Sequence, residues 1–434
     1  MSLVLKGGLL VDPYEEYERE RDIFVDDEGL LHIYDDIEAE YPDYKRFNPD
    51  IYDCSNKIIG PGLVDVHVHF RDPGFEYKED IETGARAAAR GGFTDVVMMA
   101  NTNPTIDSVE TLEYVLNKGK KTGINVHSCA SITKGLKSKE LVDFDALSKA
   151  GAIGFTDDGI PILEEEIVRK AMEISAEKGY ILSFHEENPK YIENNGVNRG
   201  LASKHYGIGG SDRQAEIDMV KRDLDLALET GARINIQHVS SKEAVQLIRE
   251  AKKRTDKNNI YAEVTPHHLA LTEEAVIKFG TNAKMNPPLR TEEDRLALIE
   301  GIFDGTIDCV ATDHAPHAKF EKDKAITDAP SGIIGLETSL KVSYDILVRK
   351  HNMTLLQLFC KMSKNPAEFY KIDAGKLAIG RHANLLVFDA DKIQKTDVFC
   401  SKSANSPFKN TDITGDVEMT ICKGAIVHNN LTIR

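Results

Sequence analysis

The sequence has no closely spaced cysteine pair and no long apolar run. Its six cysteines are scattered without a C-x-x-C motif, which excludes a disulfide framework and a zinc site built from thiolates. No stretch approaches the length of about 18 apolar residues that a membrane-spanning helix needs, and the first residues lack the basic segment of a secretory signal. We therefore expect a cytoplasmic protein that does not bind membranes.

Basic stretches are also lacking. The 434 residues include 54 lysines and arginines against 71 aspartates and glutamates, for a net charge of -17. Such a chain repels phosphate backbones, so we expect no nucleic-acid partner. The 41% hydrophobic and 29% charged content is ordinary for a globular protein. The length favours one large domain with a smaller one.

Short apolar runs recur eight times in the middle of the chain, with amphipathic helical segments such as 164–179 and 241–254 between most of them. The runs are 62–70, 93–101, 124–130, 152–158, 180–185, 233–239, 260–265 and 307–313. Strands that alternate with helices indicate parallel βαβ units, and eight units predict an α/β fold, a (β/α)8 TIM-like barrel over residues 60–373. A doubly wound open sheet is the alternative, but no glycine-rich nucleotide fingerprint follows the first strand.

The two ends of the chain have a different pattern. Residues 1–59 and 374–434 contain short strand-like runs broken by turns. Neither segment alone could bury much apolar surface. Together they predict one small β-sandwich domain built from both termini.

The segment "GLVDVHVHF" (62–70) places two histidines at the end of the first apolar run. In a strand, residues i and i+2 point to the same side, so His67 and His69 should converge on one spot, as metal chelation requires. From this segment alone, another interpretation stays open. One histidine could line the core while the other lies at the solvated end of the strand.

The other predicted strands also end in polar residues that could bind a metal or a substrate. They are Asn101, Asp157, Asp158, His185, His238 and Asp313. Active sites of barrel enzymes lie at the carboxyl ends of the strands. Imidazole and carboxylate groups at one rim suit zinc or a similar divalent ion. This distribution predicts a metal centre at the carboxyl end of the barrel.

A resemblance to a known family rests on several longer motifs. They are "DVHVHFRDPGFEYKEDIETGARAAARGGFTDVVMMANTNP", "GFTDDG", "AEVTPHHLALTEE", "KMNPPLR", "DGTIDCVATDHAPH" and "GKLAIGRHANLLVFD". They resemble the dihydroorotases of the class I bacterial type, in the amidohydrolase superfamily, over nearly the whole chain. The two-histidine motif and "ATDHAPH" are shared with cyclic-imide hydrolases generally, whereas "FTDDG" and "KMNPPLR" are more specific to dihydroorotases. The resemblance implies zinc-dependent, reversible conversion of N-carbamoyl-L-aspartate to L-dihydroorotate in pyrimidine biosynthesis.

The resemblance also implies a set of metal ligands for one or two zinc ions per chain. One ion would be held by His67, His69 and Asp313, the other by His185 and His238, and Asp158 would bridge or support both. Hydantoinases, allantoinases and class II dihydroorotases typically place a carboxylated lysine where Asp158 stands. Its neighbour Asp157 is expected to form hydrogen bonds and not to bind metal. Asp313 is the predicted general base and acid.

A substrate-binding set follows from the same resemblance. The planar guanidinium of Arg71 offers two parallel donors for a carboxylate. Its alternative role is a surface salt bridge with Asp72 or Glu79. The remaining substrate-binding residues implied are His69, Asn101 and His317 near the carboxylate, Asn286 at the pyrimidine ring, and the loop through Ser331 and Gly332.

The chain departs from the family pattern at four positions without losing a ligand. Ala100 stands where proline is usual, Asn103 replaces arginine, Glu186 replaces cysteine and Ser331 replaces an aromatic residue. Two rival functions stay open, namely another cyclic amidohydrolase (an allantoinase or hydantoinase) and a non-catalytic scaffold. A homo-oligomer and a partner enzyme of the same pathway are both compatible with the sequence.

Overall fold

The computed structural model describes residues 2–433. Its strands are β1 Leu3–Asp12, β2 Tyr17–Val25, β3 Leu31–Tyr34, β4 Asp50–Asp53, β5 Ile58–Pro61, β6 Leu63–Val68, β7 Phe93–Met98, β8 Asn125–Ala130, β9 Gly154–Thr156, β10 Ile181–Phe184, β11 Arg233–Ile236, β12 Ile260–Val264, β13 Cys309–Val310, β14 Leu385–Lys395, β15 Asp412–Cys422 and β16 Ala425–Asn429. The strands β6 to β13 correspond in order to the eight apolar runs of the central sequence.

The α-helices lie mainly between and after these central strands. They are α1 Ile37–Glu40, α2 Ile81–Arg90, α3 Val109–Gly119, α4 Phe144–Ala150, α5 Glu165–Lys178, α6 Leu201–Tyr206, α7 Gln214–Thr230, α8 Lys242–Lys252, α9 Pro266–Ala270, α10 Glu274–Phe279, α11 Glu292–Asp304, α12 Lys319–Lys322, α13 Ser339–Ser343, α14 Leu355–Phe359 and α15 Asn365–Tyr370. No helix within residues 2–433 is both long enough and apolar enough to cross a membrane.

Strands β6 to β13 form one parallel sheet in sequence order. The sheet closes on itself where Val68 bridges to His314 and where the Thr312 N–H donates to Asp65 Oδ1 at 3.1 Å. A backbone bond from His69 N to the His314 carbonyl, at 2.9 Å, supports the same closure. The predicted (β/α)8 barrel is confirmed, and the open-sheet alternative is wrong.

Local sequence sets the ends of the helices around the barrel. Asp80 caps α2 by accepting a hydrogen bond from the Thr83 N–H at 2.8 Å, and Ser241 caps α8 in the same way. Helices α5 and α7 end at Gly179 and Gly231, whose φ values of 75° and 78° are costly for other residues. Each cap fixes where the chain turns back toward the next strand.

The amino end of the barrel is filled with apolar side chains. Val64 and Val97 from the strands pack there with Phe369 and Tyr370 of α15. The Tyr370 hydroxyl lies 2.6 Å from the Ser183 hydroxyl inside the barrel. Polar side chains collect at the opposite, carboxyl end.

The strands of both chain termini form a second sheet with its own core. Its order is β16-β15-β14-β5-β1-β2-β3, with β4 paired to β1. Leu386 of β14 lies opposite Gly60 of β5, and the chain passes from this sheet into the barrel at Gly62. The expected β-domain built from both termini is confirmed, although the sequence predicts a sandwich and hydrogen bonds link the strands into one sheet. The domain limits 1–59, 60–373 and 374–434 stay a prediction.

Candidate metal centre and substrate pocket

Six side chains from the ends of five barrel strands meet at the carboxyl end of the barrel. They are His67 and His69 of β6, Asp158 after β9, His185 after β10, His238 after β11 and Asp313 after β13. Each is at most 6% exposed to solvent. The structure brings together all six residues that the sequence predicts as metal ligands.

The first group consists of His67, His69 and Asp313. The His69 Nε2 atom lies 3.0 Å from Asp313 Oδ1, and the His67 Nε2 atom lies 3.6 Å from the same oxygen. The three potential ligand atoms lie within 4.8 Å of one another. Two imidazole nitrogens and one carboxylate oxygen form a donor set that zinc commonly takes.

Asp158 lies at the centre of the remaining ligands. Its carboxylate oxygens lie 3.3 Å from His67 Nε2, 3.4 Å from His69 Nε2, 3.6 Å from His185 Nδ1 and 3.8 Å from His238 Nε2. His67, Asp158 and His238 form a second group whose ligand atoms lie within 4.8 Å. One carboxylate therefore lies among four imidazoles, the position expected of a ligand shared by two metal ions.

The electrostatics of the cluster fit a cation. Burial would raise the pKa of Asp158, but the surrounding imidazoles hold this pKa well below its usual value. Burial likewise opposes ionisation of Asp313, yet its close contact with His69 and the charges of the nearby histidines lower the pKa of Asp313 to about 2. His67 Nε2, between these two carboxylates, is buried without a hydrogen-bond partner. A metal ion would give it one, so the residues present fit a divalent metal.

Two residues of this cluster and one beside it have an unusual backbone. Arg71, His238 and Asp313 have φ values of 61°, 32° and 46°. The left-handed region is uncommon for residues other than glycine, and holding such a residue there costs of order 1–3 kcal/mol. Strain of this kind is common at functional sites, where it directs a side chain to a required position.

Asn101 holds two of the cluster residues. Its Oδ1 accepts from His69 Nδ1 at 3.0 Å, and its Nδ2 donates to Asp158 Oδ2 at 3.1 Å. This arrangement keeps the His69 Nε2 lone pair facing Asp313. The sequence suggested contact with substrate for Asn101, which stays a prediction. Its contacts in the structure are to the candidate ligands.

Arg71 lies beside the cluster without a carboxylate partner. Its Nε donates to the Pro316 carbonyl at 3.4 Å, and it forms no ion pair within residues 2–433. The alternative salt bridge is wrong, because Asp72 instead pairs with Lys118 at 2.6 Å and Glu79 accepts from the hydroxyls of Thr83 and Ser401. The guanidinium is therefore free to receive an anion.

His317 lies close to Arg71 in the same part of the pocket. Burial, together with the charge of Arg71, lowers the pKa of His317, so the imidazole is neutral. Its Nε2 donates to the Ser331 carbonyl at 2.9 Å. Nδ1 is then the acceptor nitrogen, 3.4 Å from Lys78 Nζ.

A cavity of about 520 Å³ opens beside the cluster and is lined in part by His185 and Asn286. Asn286 Nδ2 lies 3.3 Å from His185 Nε2, and Asn286 Oδ1 is buried without a partner. An unpaired buried acceptor costs free energy unless a ligand N–H satisfies it. Asn286 thus presents one open acceptor at the predicted position of the ring.

The loop at Ser331 and Gly332 is held by two buried lysines. Lys284 Nζ donates to the carbonyls of residues 326 and 329, and Lys322 Nζ donates to the Gly332 carbonyl at 3.0 Å. The Gly332 N–H already donates to the Lys284 carbonyl at 2.8 Å. This amide is therefore satisfied within the protein, and substrate contact by either loop residue stays a prediction.

Two carboxylates that the sequence did not single out support the cluster. Glu263 Oε1 accepts from His67 Nδ1 at 2.5 Å, and Glu187 Oε2 lies 3.4 Å from His185 Nε2. Glu263 could have been noticed as a lone carboxylate in an apolar strand, since unpaired glutamates are almost never fully buried. Glu187 has no comparable sequence pattern.

Two other polar residues near the cluster form hydrogen bonds within the protein, as the sequence predicts for Asp157. Asp157 accepts hydrogen bonds from the backbone N–H groups of Ile132 and Thr133 at 2.7 and 3.0 Å, so it anchors the loop after β8. His268 bonds to the Thr265 hydroxyl and to the Pro287 carbonyl at 2.9 and 3.1 Å. Neither belongs to the groups that could hold a metal within the described residues.

Comparisons with known proteins agree with this geometry. Residues 56–244 match the family described as Dihydro-orotase-like. The chain is 48% identical to a dihydroorotase of Clostridioides difficile over 98% of this chain and 100% of the relative. It is 45% identical to one of Streptococcus thermophilus over 98% of this chain and 99% of the relative.

Among solved structures, an L-hydantoinase (dihydropyrimidinase) from Arthrobacter aurescens is similar, with a TM-score of 0.85 and 25% identity over 100% of this chain and 97% of that one. A dihydropyrimidinase from Brevibacillus agri has a TM-score of 0.82 and 21% identity over 100% of this chain and 96% of that one. These structures support the barrel with its additional β-domain. The 48% and 45% identity to the two dihydroorotases carries more weight for the chemistry than the similarity to these structures.

We expect zinc to bind at the cluster and to stabilise the fold. Zinc at about 100 times its dissociation constant should add about 2.7 kcal/mol to the free energy of unfolding, measured by denaturant titration. Elemental analysis should find one to two ions per chain. The double variant His67→Ala/His69→Ala should stay folded by circular dichroism but lose this stabilisation. Equal stabilisation of both proteins by zinc would place the metal elsewhere.

Proposed function

Since the chain belongs to the dihydroorotase family, we propose that it converts N-carbamoyl-L-aspartate reversibly to L-dihydroorotate in pyrimidine biosynthesis. Its full-length similarity to bacterial dihydroorotases supports a hydrolase that acts on a small cyclic amide. The observation that carries the proposal is the central position of Asp158 among four imidazoles, next to an unpaired arginine. These features suit hydrolysis of a ring that bears a carboxylate.

The proposed cofactor is zinc, one or two ions per chain. His67, His69 and Asp313 would hold one ion, His185 and His238 the other, and Asp158 would lie between them. When bound, zinc lowers the pKa of a water molecule toward neutrality and polarises the amide carbonyl. The chain itself contributes the position of each ligand and the exclusion of bulk water by burial.

Asp313 is the proposed proton carrier. Its lowered pKa keeps the carboxylate ionised near neutral pH, so it can accept a proton from the attacking water. In ring opening it would then deliver this proton to the departing ring nitrogen. In ring closure, by microscopic reversibility, it would remove a proton from the carbamoyl nitrogen.

The substrate would be oriented by side chains that still have a donor or an acceptor without a protein partner. Arg71 would pair with the carboxylate next to the ring nitrogen, beside the neutral imidazole of His317. Asn286 Oδ1, buried and unpaired, would accept from a ring N–H. Together these contacts distinguish dihydroorotate from a ring without a carboxylate.

Assignment to the class I bacterial type is part of the proposal. It is supported by Asp158, since hydantoinases, allantoinases and class II dihydroorotases typically have a carboxylated lysine at the corresponding position. The main alternative is a hydantoinase, which the similar solved structures favour. A cytoplasmic location, a homo-oligomer and a pathway partner stay predictions.

A parallel assay tests the function. Purified, zinc-loaded protein should open the ring of dihydroorotate much faster than it hydrolyses hydantoin or allantoin, and should close carbamoyl aspartate in reverse. The measurement is kcat/KM for each substrate under the same conditions. Preference for hydantoin would replace the proposed function by that of a hydantoinase.

Asp313→Asn should keep the shape of the site but remove the base. The loss of a general acid or base lowers turnover by roughly 10²- to 10⁴-fold, so kcat should fall at least that far. Because Asp313 is also a proposed ligand, metal content must be measured on the same sample. Undiminished kcat in a zinc-loaded Asn variant would exclude Asp313 as the proton carrier.

Arg71→Met should weaken selection of the carboxylate. Losing one partner of a buried charged pair costs about 2–5 kcal/mol, which corresponds to a fall in kcat/KM for dihydroorotate of roughly 30-fold to several thousand-fold. Arg71→Lys should also be impaired, because it lacks the planar pair of donors. Slow hydrolysis of an uncharged cyclic imide is the control and should change far less. Equal losses on both substrates would show that Arg71 supports the metal site instead.

A further inference from the structure

Strand β12 provides no proposed metal ligand, yet its carboxyl end carries a fully buried carboxylate, Glu263. The Oε1 atom of Glu263 accepts from His67 Nδ1 at 2.5 Å and from the His238 backbone N–H at 3.3 Å. Its Oε2 atom accepts from Asn235 Nδ2 at 2.9 Å. One carboxylate thus contacts a histidine from each of the two proposed metal positions.

The contact with His67 decides which ring nitrogen faces the cluster. A neutral imidazole has one N–H donor and one acceptor nitrogen. Because Glu263 takes the hydrogen at Nδ1, the lone pair is left on Nε2. This is the nitrogen between Asp158 and Asp313 that lacks any hydrogen bond.

The contact with His238 supports a strained backbone. His238 has a φ of 32°, and its N–H points to Glu263 Oε1. Because a left-handed residue costs free energy, a hydrogen bond to a charged acceptor helps to hold this conformation. Asn235, three residues before His238 and within β11, donates to the other oxygen of the carboxylate and keeps it aligned.

We propose that Glu263 is a positioning residue that fixes the tautomer of His67 and the backbone of His238, and so sets the zinc affinity of both positions. This inference rests on the zinc site of the proposed function. Outer carboxylates of this kind raise the basicity of a ligating imidazole, and their loss typically costs 10- to 100-fold in metal affinity or activity.

The test measures zinc affinity directly, by competition between metal-free protein and a chromophoric chelator. Glu263→Ala should bind zinc about 10- to 100-fold more weakly than the unaltered chain. Glu263→Gln keeps an acceptor oxygen but loses the charge, so it should fall between the two. Long-range nitrogen NMR of the metal-free protein should show His67 protonated at Nδ1 in the unaltered chain and a mixture of the two tautomers in the Ala variant.

A matched control is Asp308, the residue just before β13. Its carboxylate accepts from the Ala262 N–H of β12 at 2.8 Å and from Lys252 at 2.6 Å, and neither bond involves a proposed metal ligand. Asp308→Asn should lower the free energy of unfolding but leave zinc affinity unchanged. If Glu263→Ala does not fold, Asn235→Ala removes a partner of Glu263 and should weaken zinc binding by about tenfold or less.

Zinc affinity equal to that of the unaltered chain in folded Glu263→Gln and Asn235→Ala would overturn the positioning role, as would an unchanged His67 tautomer in Glu263→Ala. These outcomes would leave the proposed function intact. Failure of the unaltered chain to bind zinc would overturn both. Zinc binding without turnover of dihydroorotate would overturn only the function.

Discussion

The buried carboxylate of Asp158 is the interaction on which the rest of the site depends. A charge removed from water must be balanced by close partners, or it destabilises the fold strongly. Asp158 is balanced by four imidazoles that come from three different strands, the farthest at 3.8 Å. Only a closed barrel brings these strand ends to one point. Both the fold and the proposed metal site therefore require that the barrel close.

Support for this cluster comes from side chains that hold the ligand histidines. Asn101 and Glu263 bond the ring nitrogens of His69 and His67 that face away from the metal position. Apolar packing at the amino end leaves the polar groups at the carboxyl end. A ligand imidazole is useful only when its free nitrogen points the right way, so these bonds belong to the site as much as the ligands do.

Much of this arrangement could be predicted from sequence, because it follows from local patterns. Apolar runs with period-two geometry indicate strands, and the carboxyl ends of parallel strands must meet at one rim. That reasoning is enough to bring His67, His69 and Asp313 together, although 244 positions separate the last two. The prediction is possible because parallel strands joined by helices place their carboxyl ends at one rim. It does not require knowing which side chains touch.

Other features depend on contacts that no local pattern encodes. Which nitrogen of His67 meets Glu263, 196 positions away, depends on the rotation of β12 against β6. The sequence also predicts that Asn101 contacts the substrate, whereas in the structure its side-chain amide bonds to His69 and Asp158. Hydrogen-bond direction and side-chain rotation become definite only when the barrel closes.

Anomalous diffraction at the zinc edge, from crystals of the zinc-loaded protein, tests the central claim most directly. The account predicts a peak bonded to His67 Nε2, His69 Nε2 and Asp313, with Zn–N distances of about 2.0–2.1 Å. A second ion, if present, should lie at His185 Nδ1 and His238 Nε2, with Asp158 between the two. Zinc bound away from these side chains, or only on the surface, would contradict the account.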